Sequence, residues 1–174
     1  MPFPSNGEEN VARCSLHFRE SWNFPGACPD EVWLALAHGE DWPLWWKGVF
    51  LESKKLAGGD QPALGDRGFG RVRGFLPYEF KFIAEATALE RPRLIEAKIT
   101  GDFEGEWRAV IAMTASGTHV DFDWKAAVNL PFPLFFAALL RPLMRLNHAW
   151  TMPRGERGLR KYLARQRLHN SATV

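Results

Sequence analysis

The chain has few of the residues and patterns that mark metal sites, disulfide frameworks and membrane spans. Its 174 residues include only two cysteines, Cys14 and Cys28, which form neither a CxxC motif nor a disulfide framework. None of the five histidines has metal-ligand spacing to another histidine or to a cysteine. The longest uncharged apolar run, residues 130–140, is shorter than the roughly 20 residues that a membrane-spanning helix needs. We therefore predict no metal, no cofactor and no transmembrane segment.

A strong net charge is also absent, since the formal charge is +2. The N-terminal residues MPFPSNGEEN lack the basic and apolar regions of a signal peptide, and with two reduced thiols this predicts a cytoplasmic protein. Charge is uneven over residues 154–167, which carry six basic residues and one acid. That segment is either a solvated helix face or a contact for the phosphates of lipid or nucleic acid. The solvated face is the simpler interpretation, and we predict no nucleic-acid partner.

Aromatic residues, in contrast, are abundant, at 13% of the chain with 13 Phe and 8 Trp. Three tryptophans fall within the five residues WPLWW at 42–46. The spacing i, i+3 and i+4 predicts that Trp42, Trp45 and Trp46 share one face of a short helix. Indoles grouped in this way either fill a core or line a pocket for an apolar guest, and both interpretations stay open at this point.

The order of periodic segments predicts the architecture. Period-two alternation indicates a strand over 13–24, and two short helices follow, one starting at Pro29 and one capped by Asp41. Six further strand-like segments are joined by short turns, which is typical of an antiparallel meander; they are 48–56, 69–75, 78–89, 93–100, 104–115 and 118–128. The period then becomes helical from Pro133 to about Trp150, is weakened at Pro153 and Gly155, and resumes over 158–168.

This order predicts an α+β fold in which a curved antiparallel sheet of about seven strands wraps around a long C-terminal helix, with two short helices after the first strand. The sheet must cover its apolar face, and the C-terminal helix is the only element long enough to do so. A single helix does not fill a wide concave sheet. We therefore predict a cavity between the sheet and the helix.

Several local strings resemble the SRPBCC superfamily of START-like, helix-grip proteins, and most closely its polyketide cyclase/dehydrase-like members. They are PDEVWLAL at 29–36, WPLWWKGV at 42–49, LPYEFKF at 76–82, ITGDFEGEW at 99–107, FDWKAAV at 122–128 and NHAWTMPRGERGL at 147–159. The resemblance runs from about Val11 to Leu163. It implies a single helix-grip domain, which we place at 11–168 with flexible termini at 1–10 and 169–174. It also implies an unbroken helix through Pro153, but no catalytic residues.

The residues that we expect to line the cavity are mostly aromatic, with one amide and one phenol as polar groups. They are Trp45, Trp46, Phe75, Tyr78, Phe82, Trp107, Trp124, Met144 and Asn147. A buried amide needs partners, so Asn147 either bonds to the protein or holds the polar end of a ligand. His148 lies one step off the apolar helix face. It is either solvated or bonded within the protein, which is the simpler interpretation, or an acid–base group, since histidine titrates near neutral pH.

Charged strand residues are expected to lie mainly on the outer face of the sheet. Asp121 and Asp123 alternate with apolar residues and should face water. Arg71 and Arg73 share a face with Phe69 and Phe75; on the concave side they would attract an acidic ligand, and on the convex side they would form ion pairs.

Three functions fit these observations. The first is binding of a hydrophobic or amphipathic small molecule, lipid or polyketide-like, in the cavity. The second is a cyclase or dehydratase, which requires a polar cavity residue with a shifted pKa, such as Asn147, Tyr78 or an inward arginine. The third is a protein- or membrane-interaction module that uses the basic C-terminal helix. The sequence does not select the ligand, the reaction or the oligomeric state.

Overall fold

The structure of the protein, a computed structural model, describes residues 13–129 and 137–172. The strands are β1 Arg13–Pro25, β2 Phe50–Ala57, β3 Arg67–Arg73, β4 Glu79–Glu90, β5 Leu94–Gly101, β6 Phe103–Thr114 and β7 Gly117–Asn129. The helices are α1 Pro29–Ala37, α2 Trp42–Trp45 and α3 Ala137–Ala172, and a 3₁₀ turn at Gly39–Asp41 precedes α2.

The seven strands form one antiparallel sheet in the spatial order β1-β7-β6-β5-β4-β3-β2. Strands β2 to β7 are a meander, as the short joints predict. β1 pairs with β7 over its whole length, from Arg13 opposite Asn129 to Pro25 opposite Gly117. These features confirm the predicted α+β fold, with two short helices after the first strand and a long helix at the end.

The helix α1 is fixed to the sheet at its start and along its apolar side. The backbone N–H of Cys28 donates to Glu31 Oε2 at 2.9 Å, which satisfies one of the free donors at the helix N-terminus. Val32 and Trp33 are buried, and the indole N–H of Trp33 donates to the carbonyl of Leu94 on β5 at 3.0 Å. The helix therefore covers one end of the sheet's inner face.

The predicted weakening of the last helix at Pro153 and Gly155 is wrong, because α3 continues through both residues. Pro153 is exposed, so the carbonyl that loses its helical hydrogen bond there lies on the solvent side of the helix. The unbroken helix implied by the family resemblance is the correct expectation. The predicted start at Pro133 lies outside the described residues, and the helix extends to Ala172.

Two glycines allow α3 to approach α2 closely. A Cβ atom on Gly155 would lie 2.6 Å from the Trp46 ring, and one on Gly158 would overlap the backbone oxygen of Trp45. Leu159, beside these contacts, has no exposed surface. Packing at this end of α3 therefore stabilises a helix that local propensity disfavours.

Candidate functional site

A cavity of about 280 Å³ lies between the inner face of the sheet and the first half of α3. This volume is close to the roughly 300 Å³ at which small-molecule pockets begin. Most of the wall is apolar and comes from inward positions of the strands, from the residues around α2 and from one side of α3; it includes Leu16, Phe18, Trp42, Val72, Phe80, Ala84, Ile95, Ala97, Ile99, Phe103, Phe122, Val128 and Met152.

Six of the nine predicted lining residues are on the cavity wall: Trp46, Phe82, Trp107, Trp124, Met144 and Asn147. The three strand aromatics among them occupy inward positions that alternation predicts. Their rings contact other aromatic wall residues: Trp107 lies 5.9 Å from Trp42, and Phe82 and Trp124 lie 5.1 and 5.4 Å from Phe103. The wall is thus a continuous aromatic surface rather than a set of isolated rings.

The other three predicted residues are not on the wall. Phe75 and Tyr78 belong to the β3–β4 connection, where the strand alternation has ended, and each is 44% exposed. Trp45 is buried against α3 instead of facing the cavity. That these three contact a ligand remains only a prediction, and their positions do not favour it.

The tryptophan cluster of α2 contributes to the core and to the cavity at once. The rings of Trp42, Trp45 and Trp46 lie within 5.4 to 6.0 Å of one another. Trp42 and Trp46 reach the cavity wall, whereas Trp45 packs on the other side, stacked on Trp46. The indole N–H of Trp46 donates to the carbonyl of Thr151 on α3 at 3.0 Å, which fixes this ring at the wall.

Asn147 is bonded within the protein. Its side-chain Oδ1 accepts a hydrogen bond from the backbone N–H of Phe75 at 3.1 Å, which ties α3 to the β3–β4 connection. The residue is buried and also borders the cavity. The sequence allowed Asn147 either to bond within the protein or to hold the polar end of a ligand. The structure shows the first of these for Oδ1.

A pair of polar residues on the wall, Glu20 of β1 and His148 of α3, was not among the predicted site residues. His148 is 7% exposed, and its ring stacks on Phe18 with 3.8 Å between ring centroids. His148 Nε2 lies 3.2 Å from Glu20 Oε1. That distance would suit an ion pair, but the atoms are not aligned for a hydrogen bond, and Nε2 has no hydrogen-bond partner among the described residues.

Burial controls the protonation of this pair. It lowers the pKa of His148 from its usual 6.5 to about 4, so the imidazole is neutral at pH 7. Burial also raises the pKa of Glu20. We therefore interpret the contact as a carboxyl group beside a neutral imidazole. Acid–base chemistry would require a group with a shifted pKa in the cavity. His148 is the minor candidate for such a group in the sequence, whereas Glu20 is not among the candidates.

A signal for Glu20 was present in the sequence. In the strand RCSLHFRESWNF, Glu20 has the same parity as Leu16, Phe18 and Trp22, so an acid stands in the apolar series. Leu16 and Trp22 are buried, and Glu20 lies between them on the inner face. His148 had no comparable signal, because one step along a helix changes the direction of a side chain by about 100° and the pattern there is broad.

The outer face of the sheet carries the charged network that alternation predicts. Asp123 accepts hydrogen bonds from His17 and Arg19, and Asp121 accepts one from Ser21 at 2.6 Å. These bonds lower the pKa of both carboxyl groups. Arg71 pairs with Glu52 and Glu79 at 3.2 and 2.8 Å. These residues stabilise the outer face and are absent from the cavity wall, whereas Arg73, for which the same two placements were open, borders the cavity.

Two other kinds of site are not seen in the part of the chain that the structure describes. Over residues 13–129 and 137–172, no three His, Cys, Asp or Glu residues are grouped as a metal site would need. Within the same ranges, no helix is both long enough and apolar enough to cross a bilayer.

The sequence profile of the family described as "Polyketide cyclase / dehydrase and lipid transport" matches residues 15–164, which include most of β1, all the other strands and most of α3. The chain belongs to this family. The antiparallel sheet and long C-terminal helix found here form a helix-grip arrangement. No curated protein matches the chain significantly.

Several solved structures have a fold similar to that of this family member. A protein from Thermus thermophilus is 17% identical with a TM-score of 0.70, and the match covers 87% of this chain and 98% of that one. A START superfamily protein from Mycobacterium smegmatis is 16% identical with a TM-score of 0.65, covering 87% and 98%. The Zhui aromatase/cyclase from Streptomyces sp. R1128 is 13% identical with a TM-score of 0.60, covering 89% and 96%. At these identities the likeness concerns the fold alone.

Proposed function

We propose that this family member binds a hydrophobic or amphipathic small molecule, lipid or polyketide-like, in the cavity between the sheet and α3. The observation that carries the proposal is an apolar space of about 280 Å³ with an aromatic wall. A solid core would give more packing stability, because void surfaces lose dispersion contacts. A bound molecule that fills the cavity would restore these dispersion contacts.

Tryptophan fluorescence tests this proposal directly, because wall indoles and core indoles should respond differently. We expect a polyaromatic or long-chain probe to change the emission of the wild-type protein with a saturable dependence on concentration. Trp124→Phe removes an indole from the wall and should reduce the change. Trp45→Phe removes a buried indole that does not reach the wall and is the matched control.

The proposal fails if fatty acids, sterols and polyaromatic compounds all leave the wild-type emission unchanged. Native mass spectrometry of the protein as purified provides an independent test, since a ligand bound in an apolar cavity is retained through purification. A mass above that of the chain, lost on denaturation, would support the proposal and reveal the ligand's size.

A second candidate function, docking on an anionic membrane surface, is favoured by the charge of α3. The helix carries eight basic residues and one acid, whereas the rest of the chain has 14 basic and 19 acidic residues. Arg157, Lys161 and Arg165 follow each other at successive turns and are exposed, and no described residue pairs with them. A row of unpaired cations complements anionic headgroups, at about 1 kcal/mol per residue near the surface.

Vesicle co-sedimentation tests the second function. We expect binding to vesicles with about 30% phosphatidylserine, no binding to pure phosphatidylcholine, and loss of binding as salt shortens the range of the attraction. Replacement of Arg157, Lys161 and Arg165 by Gln should abolish it. The control replaces three exposed cations outside α3 by Gln: Arg93 of the β4–β5 turn, Lys98 of β5 and Arg108 of β6. Equal binding by the two triple variants would reject docking through α3.

A further inference from the structure

The polar residues of the cavity wall fall into two groups. One group, charged except for Ser53, lies mostly on β2, β3 and their connection; with Glu40, Ser53 and Glu96 it includes Lys54, Lys55, Asp66, Arg67 and Arg73. The other group is a polar corner formed by Glu20 of β1 and by Asn147, His148 and Thr151 of α3. Two of its members use their hydrogen-bonding groups inside the protein. Asn147 Oδ1 accepts from the backbone N–H of Phe75, and Thr151 Oγ1 donates to the carbonyl of His148 at 3.0 Å. For a ligand, the polar corner therefore leaves the amide N–H groups of Asn147 and the pair Glu20 and His148.

This pair has hydrogen-bonding capacity that the protein leaves unused. His148 is more than nine-tenths buried, and its Nε2 is 3.2 Å from Glu20 Oε1 without the alignment of a hydrogen bond. Buried polar groups are seldom left unsatisfied, and each exception calls for an explanation. Glu20 is the more accessible member, with 37% of its side chain exposed, so it is the group that a molecule in the cavity would touch first.

The chemistry of the pair selects the ligand's polar group. At pH 7 the imidazole is neutral, and no described lysine or arginine pairs with Glu20 or His148. The groups that surround them are apolar: Phe18 and Trp22 on β1, Trp124 on β7 and Met144 on α3. The cations that border the cavity, Lys54, Lys55, Arg67 and Arg73, belong to β2 and β3 and interact with neither member of the pair. At the polar corner itself, an anionic headgroup would meet a carboxylate. A hydroxyl hydrogen, in contrast, would find an acceptor.

We propose that the molecule bound in the cavity is uncharged and carries a hydroxyl group, alcohol or phenol, which donates a hydrogen bond to the Glu20 carboxylate. His148, whose Nε2 lies 3.2 Å from Glu20 Oε1, is a positioning residue that limits where the carboxylate can lie. This inference rests on the proposed binding function and narrows its ligand to a class: an apolar body with a single donor group at one end.

Calorimetric titration with three naphthalenes of similar shape tests the inference. 2-Naphthol has a donor, 2-methoxynaphthalene has none, and 2-naphthoate is an anion. We expect the wild-type protein to bind 2-naphthol about tenfold more tightly than 2-methoxynaphthalene and 2-naphthoate most weakly. Equal affinity for the first two, or tightest binding of the anion, overturns the inference while the binding function stands. Binding of none of the three to the wild type also overturns the inference, whereas the binding function itself is decided by the fluorescence titration with fatty acids, sterols and polyaromatic compounds.

Variants then assign the preference to residues. Glu20→Leu should bring the ratio of naphthol to methoxynaphthalene affinity close to one, and Glu20→Gln provides a second variant of unchanged size. His148→Phe keeps a ring against Phe18 and should lower the ratio about threefold without weakening 2-methoxynaphthalene; a merely structural role for His148 would weaken both probes equally. Glu96→Leu is the control, since Glu96 also borders the cavity but is paired with Arg108 at 3.2 Å. A ratio unchanged in Glu20→Leu overturns the assignment.

Discussion

The two halves of α3 pack against the same sheet in opposite ways. The C-terminal half meets α1 and α2 without space between them, because Gly155 and Gly158 accept the tryptophans of α2 and Leu159 is completely buried. The N-terminal half, from Met144 to Met152, borders the cavity. Both halves contact aromatic residues, so aromatic content by itself does not distinguish a filled core from a hollow one.

The difference follows from the number of layers at each end. At the filled end, two short helices lie beside α3 and bring indoles into the space over the sheet. At the hollow end, α3 contacts β1 and borders the cavity, while α1 and α2 reach the wall with Leu36, Ala37 and Trp42 among the described residues. A helix is about 10 Å wide, and one helix does not fill the concave side of a seven-stranded sheet. The cavity is therefore a consequence of topology, and its polar corner is a consequence of sequence.

The largest expected effect is on the free energy of unfolding when one buried side chain in each half of α3 is truncated to alanine. Leu159→Ala at the filled end should lower the free energy of unfolding by about 4 kcal/mol, within the range for buried leucines. Met144→Ala should cost about half as much, because its side chain already borders empty space and has fewer packing contacts to lose. Urea denaturation followed by circular dichroism measures both. Equal losses would show that the hollow end is packed as densely as the filled end.

The second expected effect concerns pH and belongs to the hollow end. In the unfolded chain His148 binds a proton near pH 6.5, but in the folded protein it does so only near pH 4. Between these values the unfolded state holds more protons, so stability falls as the pH falls, by up to about 3 kcal/mol. The raised pKa of Glu20, the titratable group that faces His148, acts in the opposite direction near its own range.

Denaturation at a series of pH values measures this dependence. The decline between pH 6.5 and 4 should be smaller in His148→Phe, which cannot be protonated, and steeper in Glu20→Gln, which lacks the opposing carboxyl group. A wild-type His148 that titrates near 6.5 by NMR would contradict the prediction and would mean that the hollow end is wet.

The strands were predictable from sequence because alternation reports directly which face is buried. Val120, Phe122, Asp121 and Asp123 all lie on the side that their parity indicates. The same rule placed Phe82, Trp107 and Trp124 on the cavity wall. Phe75 and Tyr78 could not be placed, since alternation gives no direction in the β3–β4 connection.

The continuity of α3 and the separation of Trp45 from the cavity were not predictable from local rules. Proline and glycine disfavour a helix by propensity. In α3, however, Gly155 and Gly158 are required because any larger side chain would prevent α2 from packing as closely against the helix. Trp45 and Trp46 are neighbours in sequence, yet one faces α3 and the other also reaches the wall. Which tryptophan faces α3 and which reaches the cavity depends on how α2 and α3 lie relative to each other. The periodicity of a single segment does not report that relative position.

A smaller effect tests the close approach at the filled end. In an exposed helix, replacing glycine by alanine would stabilise by about 1 kcal/mol. Gly158→Ala should instead destabilise the protein by about 1–3 kcal/mol, because the new Cβ overlaps the Trp45 backbone oxygen and the helices must separate. Gly39→Ala is the control, since no atom lies within 4 Å of its added Cβ. A gain in melting temperature for Gly158→Ala would mean that α2 and α3 are not in contact there.

The smallest expected effect on stability is the one that most sharply distinguishes the two ends. Ala97 on β5 borders the cavity, whereas Ala109 on β6 has no exposed surface and lies in the filled core. Ala97→Leu puts a larger side chain into empty space and should change the free energy of unfolding by less than about 1 kcal/mol. Ala109→Leu, the same change in a packed site, should cost about 1–3 kcal/mol.

Because the added leucine occupies the space proposed for the ligand, Ala97→Leu should also lose the fluorescence response to ligand while remaining folded. Equal destabilisation by both substitutions would show that the inner face offers no room at either end, and a folded Ala97→Leu that still binds would place the guest elsewhere.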